Sequence, residues 1–291
     1  MQGESQGHPA HVAAIATMLV PAAALGRRIR EALEGAGRFT RFGAAVVHST
    51  VAATSSWAQW RRMAPLLVEV GTRSIPVIAV IGAFIGMIMA LETFDQFSAI
   101  GLESRMGMII NVSVVRQIGP VLAAVMVAGR VGGALAAELG TMRVTEQIDA
   151  MRALAVDPIA VLVVPRVIAC TIMTPVLTLL SDITGVGGGW FFTVVLQETS
   201  NEAYWANTAW FVDWWAPIMG LLKATAFGFA IGMISCYKGY TCRGGAAGVG
   251  RATTRAFVAS FLAIIILNFF LADFLNTFER VVLGTAVKSP L

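Results

Sequence analysis

The chain alternates long apolar runs with short charged intervals, and the run lengths set the first expectation. Five segments are long enough to cross a bilayer: roughly 74–91, 108–137, 159–196, 216–237 and 256–278. The second and third exceed one simple crossing. At about 1.5 Å per residue, the 38 residues from 159 to 196 span about 57 Å, against about 30 Å of hydrocarbon. Splitting that run leaves no loop, so one helix is expected that breaks near the "GVGGG" at 185–189 and continues along the outer surface. Just before the first span, "WAQWRRMAPLLVEV" (57–70) suits an amphipathic helix lying in the membrane interface. The pattern predicts an all-α integral membrane protein with five transmembrane helices. Residues 1–73 form an N-terminal segment carrying the interfacial helix, and 74–291 form the membrane domain. A shorter apolar run at 12–25 has Arg27, Arg28 and Arg30 behind it rather than in front, which argues against a signal peptide. It reads as interfacial or loosely ordered.

The interval "ELGTMRVTEQIDAMRALAVDP" (138–158) breaks the apolar pattern with Glu138, Arg143, Glu146, Asp149, Arg152 and Asp157. At about 2.5–3.5 kcal/mol each, six charges at the bilayer centre would cost roughly 15–20 kcal/mol, so the segment lies in water. It is patterned as a helix. Thr145 is placed to cap its start, with Glu146 in the first turn. Val144, Ile148, Met151 and Ala155 recur on one face. Asp157-Pro158 then stops this helix and starts the next. The apolar stripe must cover something: the protein's own surface, lipid headgroups, or a soluble partner.

Composition supports the membrane reading. Hydrophobic residues make up 57% of the chain and charged residues 13%, against about 25% charged in a typical soluble domain. A formal charge of +4 is too small to suggest nucleic acid as a partner. Its placement is more informative. Residues 1–73 hold eight arginines, 138–158 hold two, and 238–255 hold Lys238, Arg243, Arg251 and Arg255. The alternate intervals hold only Arg105 in 92–105 and no Lys or Arg in 197–215. The positive-inside rule therefore puts the N-terminus, 138–158 and 238–255 in the cytoplasm, and an odd number of spans puts the C-terminus outside. Cys170, Cys236 and Cys242 make neither an even set nor a C-x-x-C pair, which argues against disulfides and zinc. His8, His11 and His48 all precede the first span, so no intramembrane histidine site is expected.

Several motifs carry alternative readings. "GGAAGVGRAT" (244–253) nearly spells a phosphate-binding loop, but Arg251 replaces the lysine, Ala252 replaces the magnesium-binding hydroxyl, and no strand precedes it. A flexible basic turn is the better reading, with no ATP site on this chain. Gly82-x-x-x-Gly86 and Gly228-x-x-x-Gly232 allow close helix approach, within the bundle or across a dimer. Arg116, Arg130, Arg166, Asp182, Lys223 and Asp273 interrupt the apolar runs and are costly in lipid. Arg130 and Arg166 flank the charged interval, where they can snorkel to its face. Arg116 is placed to meet an anionic headgroup or to pair with Glu92 or Glu103, while Lys223 and Asp273 are candidates for lining a lipid path or for pairing with each other. The Trp-rich "SNEAYWANTAWFVDWW" (200–215) reads as an interfacial belt or a docking surface for an external protein.

Three blocks then resemble one family. "GRVGGALAAELGTMRVTEQIDAMRALAVDPIAVLVVPRVIA" (129–169) looks like the signature of the MlaE/YrbE permeases of ABC transporters. "KGYTCRGGAAGVGRATTRAFVASF" (238–261) resembles the loop leading into that family's last span, and "EVGTRSIPVIAVIGAFIGMIMALE" (69–92) its first span. The resemblance covers about residues 60 to 280. It implies a permease subunit, not itself an enzyme, that moves phospholipid or a similar apolar lipid to or from an MCE-domain carrier protein. The expected setting is the bacterial inner membrane. Power would come from a separate cytoplasmic ABC ATPase that binds ATP and Mg, with no cofactor on this chain, and a second permease copy would complete a homodimer. The segment resembling 144–157 is that family's coupling helix, placing Glu146, Gln147, Ile148, Asp149, Ala150, Met151 and Arg152 within the ATPase contact. Two other classes remain as alternatives. An ion-coupled secondary transporter of an apolar substrate calls for internal repeats, which the sequence does not display. A membrane-embedded enzyme calls for clustered His or carboxylates.

Overall fold

Helices account for the regular structure in the computed structural model, which describes residues 30, 33–50, 57–102 and 105–282; among them there is no strand. The run at 12–25 and Glu103 lie outside the described residues. The chain divides into two compact units at His48/Ser49. Residues 33–50 form helix α1. The second unit opens with α2 (Trp57–Thr72), the helix expected over 57–70, followed by α3 (Ile75–Ser98). Met63, Val70, Gly71 and Ser74 are buried along one face of this entry, while Val68 on the other side is 61% exposed.

Five stretches are long and apolar enough to cross a membrane: Met63–Ser98, Met106–Val144, Ile159–Leu196, Trp215–Tyr240 and Gly245–Val281. The second is α4 (Met106–Ser113), α5 (Gly119–Val127) and α6 (Gly133–Val144), joined without a loop by one-turn π-helical bulges at Val114–Ile118 and Ala128–Gly132. The short helix α7 (Gln147–Ala153) follows. The third stretch is α8 (Val164–Trp190) with π bulges at Ile159–Val163 and Phe191–Leu196. Then come α9 (Asn201–Phe211), α10 (Trp215–Tyr240) and α11 (Gly245–Val282). At about 1.5 Å per residue, the 39 residues from Met106 to Val144 reach roughly 58 Å, so an end of this rod extends beyond the hydrocarbon. One core runs through the bundle, with Ile78, Val127, Leu135, Leu177, Phe227, Ile231 and Ile264 packed together.

Two expectations are corrected by this packing. The helix does not break at 185–189; α8 passes straight through to Trp190. Its glycines serve contact rather than bending. A Cβ at Gly86 would collide with the Gly185 carbonyl oxygen, and one at Gly188 with the Ala83 carbonyl oxygen, so α3 and α8 touch backbone to backbone. The Gly82 and Gly228 pairs likewise face neighbours in the same chain: Gly82 meets Ser181 and Thr184, while Gly228 and Gly232 meet Val167, Cys170 and Thr174. Nor is 244–253 a flexible turn. The turn is confined to Thr241–Gly244, and α11 begins at Gly245. Gly244 (φ 94°) and Gly245 (φ 63°) take the left-handed bend, and the following Ala and Thr residues propagate helix.

Candidate functional site: a charged helix between two spans and a polar cluster inside the bundle

Helix α7 stands where α6 ends and α8 begins, and each of its joints is built from local chemistry. Thr145 is not its N-cap. Its hydroxyl donates to the Thr141 carbonyl (2.8 Å) and its N–H to the same carbonyl, so it closes α6 instead. The reversal of direction falls on Glu146, which takes a left-handed conformation (φ 60°, ψ 12°) rather than a first-turn position. Ile148 is fully buried and anchors α7, whereas Val144 and Met151 are half-buried and Ala155, in a second left-handed turn (φ 57°), is exposed. The apolar stripe thus reduces to one anchor. At the far joint the Asp157 carboxylate accepts from the Ile159 N–H (2.9 Å), the cap expected of Asp157-Pro158.

Charged side chains tie α7 to the rest of the bundle. Asp149 Oδ1 accepts from Arg143 (2.6 Å) and from Arg152 (3.0 Å). The Arg143 hydrogen bond holds the Asp149 carboxyl below the usual carboxylate range, and both guanidinium charges add to this. Arg152 also donates to the Tyr240 hydroxyl (2.7 Å) and lies 5.6 Å from the centre of that ring, linking α7 to the end of α10. Glu146, Gln147 and Ala150 point to solvent, and Leu154 is 76% exposed. Of the seven residues the resemblance picks out, then, Ile148 is the anchor with Met151 half-buried one turn further along, Asp149 and Arg152 form the internal network, and Glu146, Gln147 and Ala150 make the outward face. Leu154 and Tyr240 were missed. Leu154 falls off the helical stripe, and Tyr240 carries no sequence mark of its link to a residue 88 positions earlier.

The polar residues within the spans separate into distinct groups. Arg116 sits on the Val114–Ile118 bulge and pairs with Glu279 of α11 at 2.7 Å, not with Glu92. Lys223, 2% exposed, donates to the Arg116 carbonyl (2.9 Å) and to Gln117 Oε1 (2.7 Å). It does not pair with Asp273, which lies on the exposed side of α11. The bulge explains the difference: extra turn length presents a main-chain carbonyl and the Gln117 amide to α10, so a buried ammonium finds acceptors there. Two cations and one carboxylate leave this cluster with a net positive charge. The buried Arg166 bonds to Glu138 (3.2 Å) and to the Leu162 carbonyl (2.8 Å), whereas the exposed Arg130 donates to Ser74 Oγ (3.1 Å). Glu279 and Gln117 escaped sequence reasoning because the pairing spans 163 positions and depends on a bulge.

The fold and site together describe a helical membrane protein with a short charged helix set between two of its long apolar stretches. Residues 66–274 match the family model described as Permease MlaE. The chain is 42% identical over 249 residues to a probable ABC transporter permease protein of Rickettsia felis, covering 86% of this chain and 95% of that protein. It is 33% identical over 255 residues to the intermembrane phospholipid transport system permease protein MlaE of Haemophilus influenzae, covering 85% and 94%. A chloroplastic Arabidopsis thaliana protein, trigalactosyldiacylglycerol 1, is 35% identical over 215 residues, 74% of this chain and 61% of its own. The chain belongs to the MlaE family of ABC transporter permeases.

Proposed function

We propose that this permease moves phospholipid across or out of the bacterial inner membrane, handing it to or receiving it from an MCE-domain carrier. A separate cytoplasmic ATPase, which binds ATP and Mg, drives the movement by gripping α7. The N-terminus is then cytoplasmic and the C-terminus periplasmic, and a second copy of the chain completes the transporter.

The observation that carries this reading is the mechanical placement of α7. It is joined to α6 by the tight turn at Glu146 and to the third apolar stretch by the turn at Ala155–Asp157, is latched to α10 through Arg152, and turns Glu146, Gln147, Ala150 and Leu154 outward. A partner that binds this face differently in two nucleotide states can move three spans together. A phospholipid substrate is further supported by the Haemophilus influenzae relative, which is named for phospholipid transport. The test is a double substitution, Glu146→Lys with Leu154→Asp, in the purified complex reconstituted into vesicles. Loss of ATPase association and of ATP-driven lipid movement, with unchanged thermal melting of the permease, is the expected result. Normal assembly and transport would refute the reading.

A further inference from the structure

Pro120, the second residue of α5, has no N–H to donate, so the main-chain carbonyl four residues before it loses its ordinary helical partner. That carbonyl belongs to Arg116, inside the π bulge at Val114–Ile118. The Gly119 N–H reaches five residues back, to the Val114 carbonyl. Lys223 of α10 fills the vacant place. Its ammonium, on a residue 2% exposed, donates to the Arg116 carbonyl at 2.9 Å and to Gln117 Oε1 at 2.7 Å. A side chain from a neighbouring helix thus does what a main-chain amide does in an unbroken helix.

The surrounding helices are shaped to this joint. One turn before Lys223, a Cβ at Gly220 would stand 2.6 Å from the Val115 carbonyl oxygen and 3.2 Å from Pro120 Cγ, so α10 lies against the joint with no side chain between. Glu279 of α11 takes the Arg116 guanidinium at 2.7 Å. Asp182 of α8 packs against Gly119, where a Cβ would collide with its Oδ1. Side chains of three helices therefore converge on residues 114–120. The bulge at Ala128–Gly132 differs, because no proline lies in it or between it and Val144.

The two sides of the joint are held differently. Away from α7, α4 is fastened to α9: Asn111 donates to Thr208 Oγ1 (3.0 Å) and accepts from Tyr204 (3.1 Å), and all three residues are buried. On the other side, α5 and α6 lead to α7. Helices bend at prolines and π bulges, and a bond made by a flexible side chain can break and re-form without unwinding the chain. We propose that residues 114–120 are a hinge in the second span and that Lys223 is its pin. The α5–α6 segment swings about it when α7 is moved, while α4 stays fixed to α9. This rests on the reading of α7 as the lever of a permease and adds the place at which its motion turns.

The pin is tested by a double-mutant cycle on thermal melting of the full chain in one detergent. Lys223→Met leaves the Arg116 carbonyl buried without its donor and should lower the melting temperature by about 5 °C. Pro120→Ala supplies the missing amide, so in that background Lys223→Met should lower melting by less than about 1 °C, or raise it. Should Lys223→Met fail to fold alone, recovery of folding in the double variant is the expected result. Failure of both variants, or an equal loss in both backgrounds, would overturn the pin. The hinge is tested in the complex reconstituted into vesicles. There Pro120→Ala should hydrolyse ATP at a near-normal rate while moving lipid about fivefold more slowly. Lipid movement at the wild-type rate would overturn the hinge. A wild-type complex that moves no lipid sinks the permease reading instead, and the melting cycle still decides the pin.

Discussion

Two neighbouring glycines of α8 should respond to the same substitution with opposite sign. Gly188 faces α3, and a Cβ there would sit 2.8 Å from the Ala83 carbonyl carbon and 3.0 Å from its Cα, besides striking the carbonyl oxygen. Carbon atoms pack best at about 3.5–4.0 Å, so Gly188→Ala must push α3 and α8 apart by about 1 Å. A gap of that size forfeits a quarter to a half of each dispersion contact nearby. Overpacking of this kind costs about 1–3 kcal/mol, offset by about 1 kcal/mol of better helix propensity, leaving a net loss of up to about 2 kcal/mol. Gly187 has nothing within 4 Å of the same added carbon. Gly187→Ala keeps only the propensity gain, about 0.5–1 kcal/mol of stabilisation. Thermal melting of the two variants in the same detergent reads the difference directly, the first lower than wild type and the second equal or higher. Equal destabilisation by both would mean that the stretch is a hinge needing glycine for flexibility, and the packing argument would be wrong.

Further expectations concern the lever. Tyr240→Phe removes the hydroxyl that accepts from Arg152. Because the Arg152 side chain is half exposed, the loss is about 0.5–1 kcal/mol, or roughly a two- to fivefold faster hydrogen exchange across α7. Arg152→Ala combined with Tyr240→Phe should be less than additive, and strict additivity would mean that the latch contributes nothing. Asp149 has a folded pKa below its unfolded value, so its stabilising effect on the joint is fully present at neutral pH and is lost as pH falls through the lowered value. Exchange rates in α7 should therefore be flat from pH 8 to about pH 5 after correction for intrinsic chemistry, rising only in stronger acid. In Asp149→Asn they should be raised throughout, and a wild-type transition near neutral pH would contradict this assignment.

Much of this architecture was legible because bilayer thickness acts on residue number. Five apolar runs correspond to five helices long and apolar enough to cross a membrane, and the charged α7 falls between the second and third of them. What failed had a common cause, namely that local patterns do not report what lies across an interface. Thr145 looks like an N-cap, yet its hydroxyl finds a nearer acceptor in its own helix at Thr141. The glycines of 185–189 look like a break, yet Gly185 and Gly188 are what let two backbones come together. Arg116 had two visible carboxylates to choose from and took Glu279, which became its neighbour only once α11 folded back along the bundle. Lys223 found a carbonyl that a π bulge had turned toward it, and no sequence pattern announced that bulge.

The central claim is that α7 lies in the cytoplasm and is held there by an ATPase. A single cysteine at Leu154, the most exposed apolar position of the segment, allows a direct test in cells producing the whole transporter. With a short cross-linker, Leu154→Cys should join the permease to the ATPase subunit, with a yield that changes between ATP-bound and nucleotide-free states, and a membrane-impermeant maleimide added from outside should leave it unlabelled. Labelling from outside, or no cross-link to any cytoplasmic protein in either state, would contradict the account.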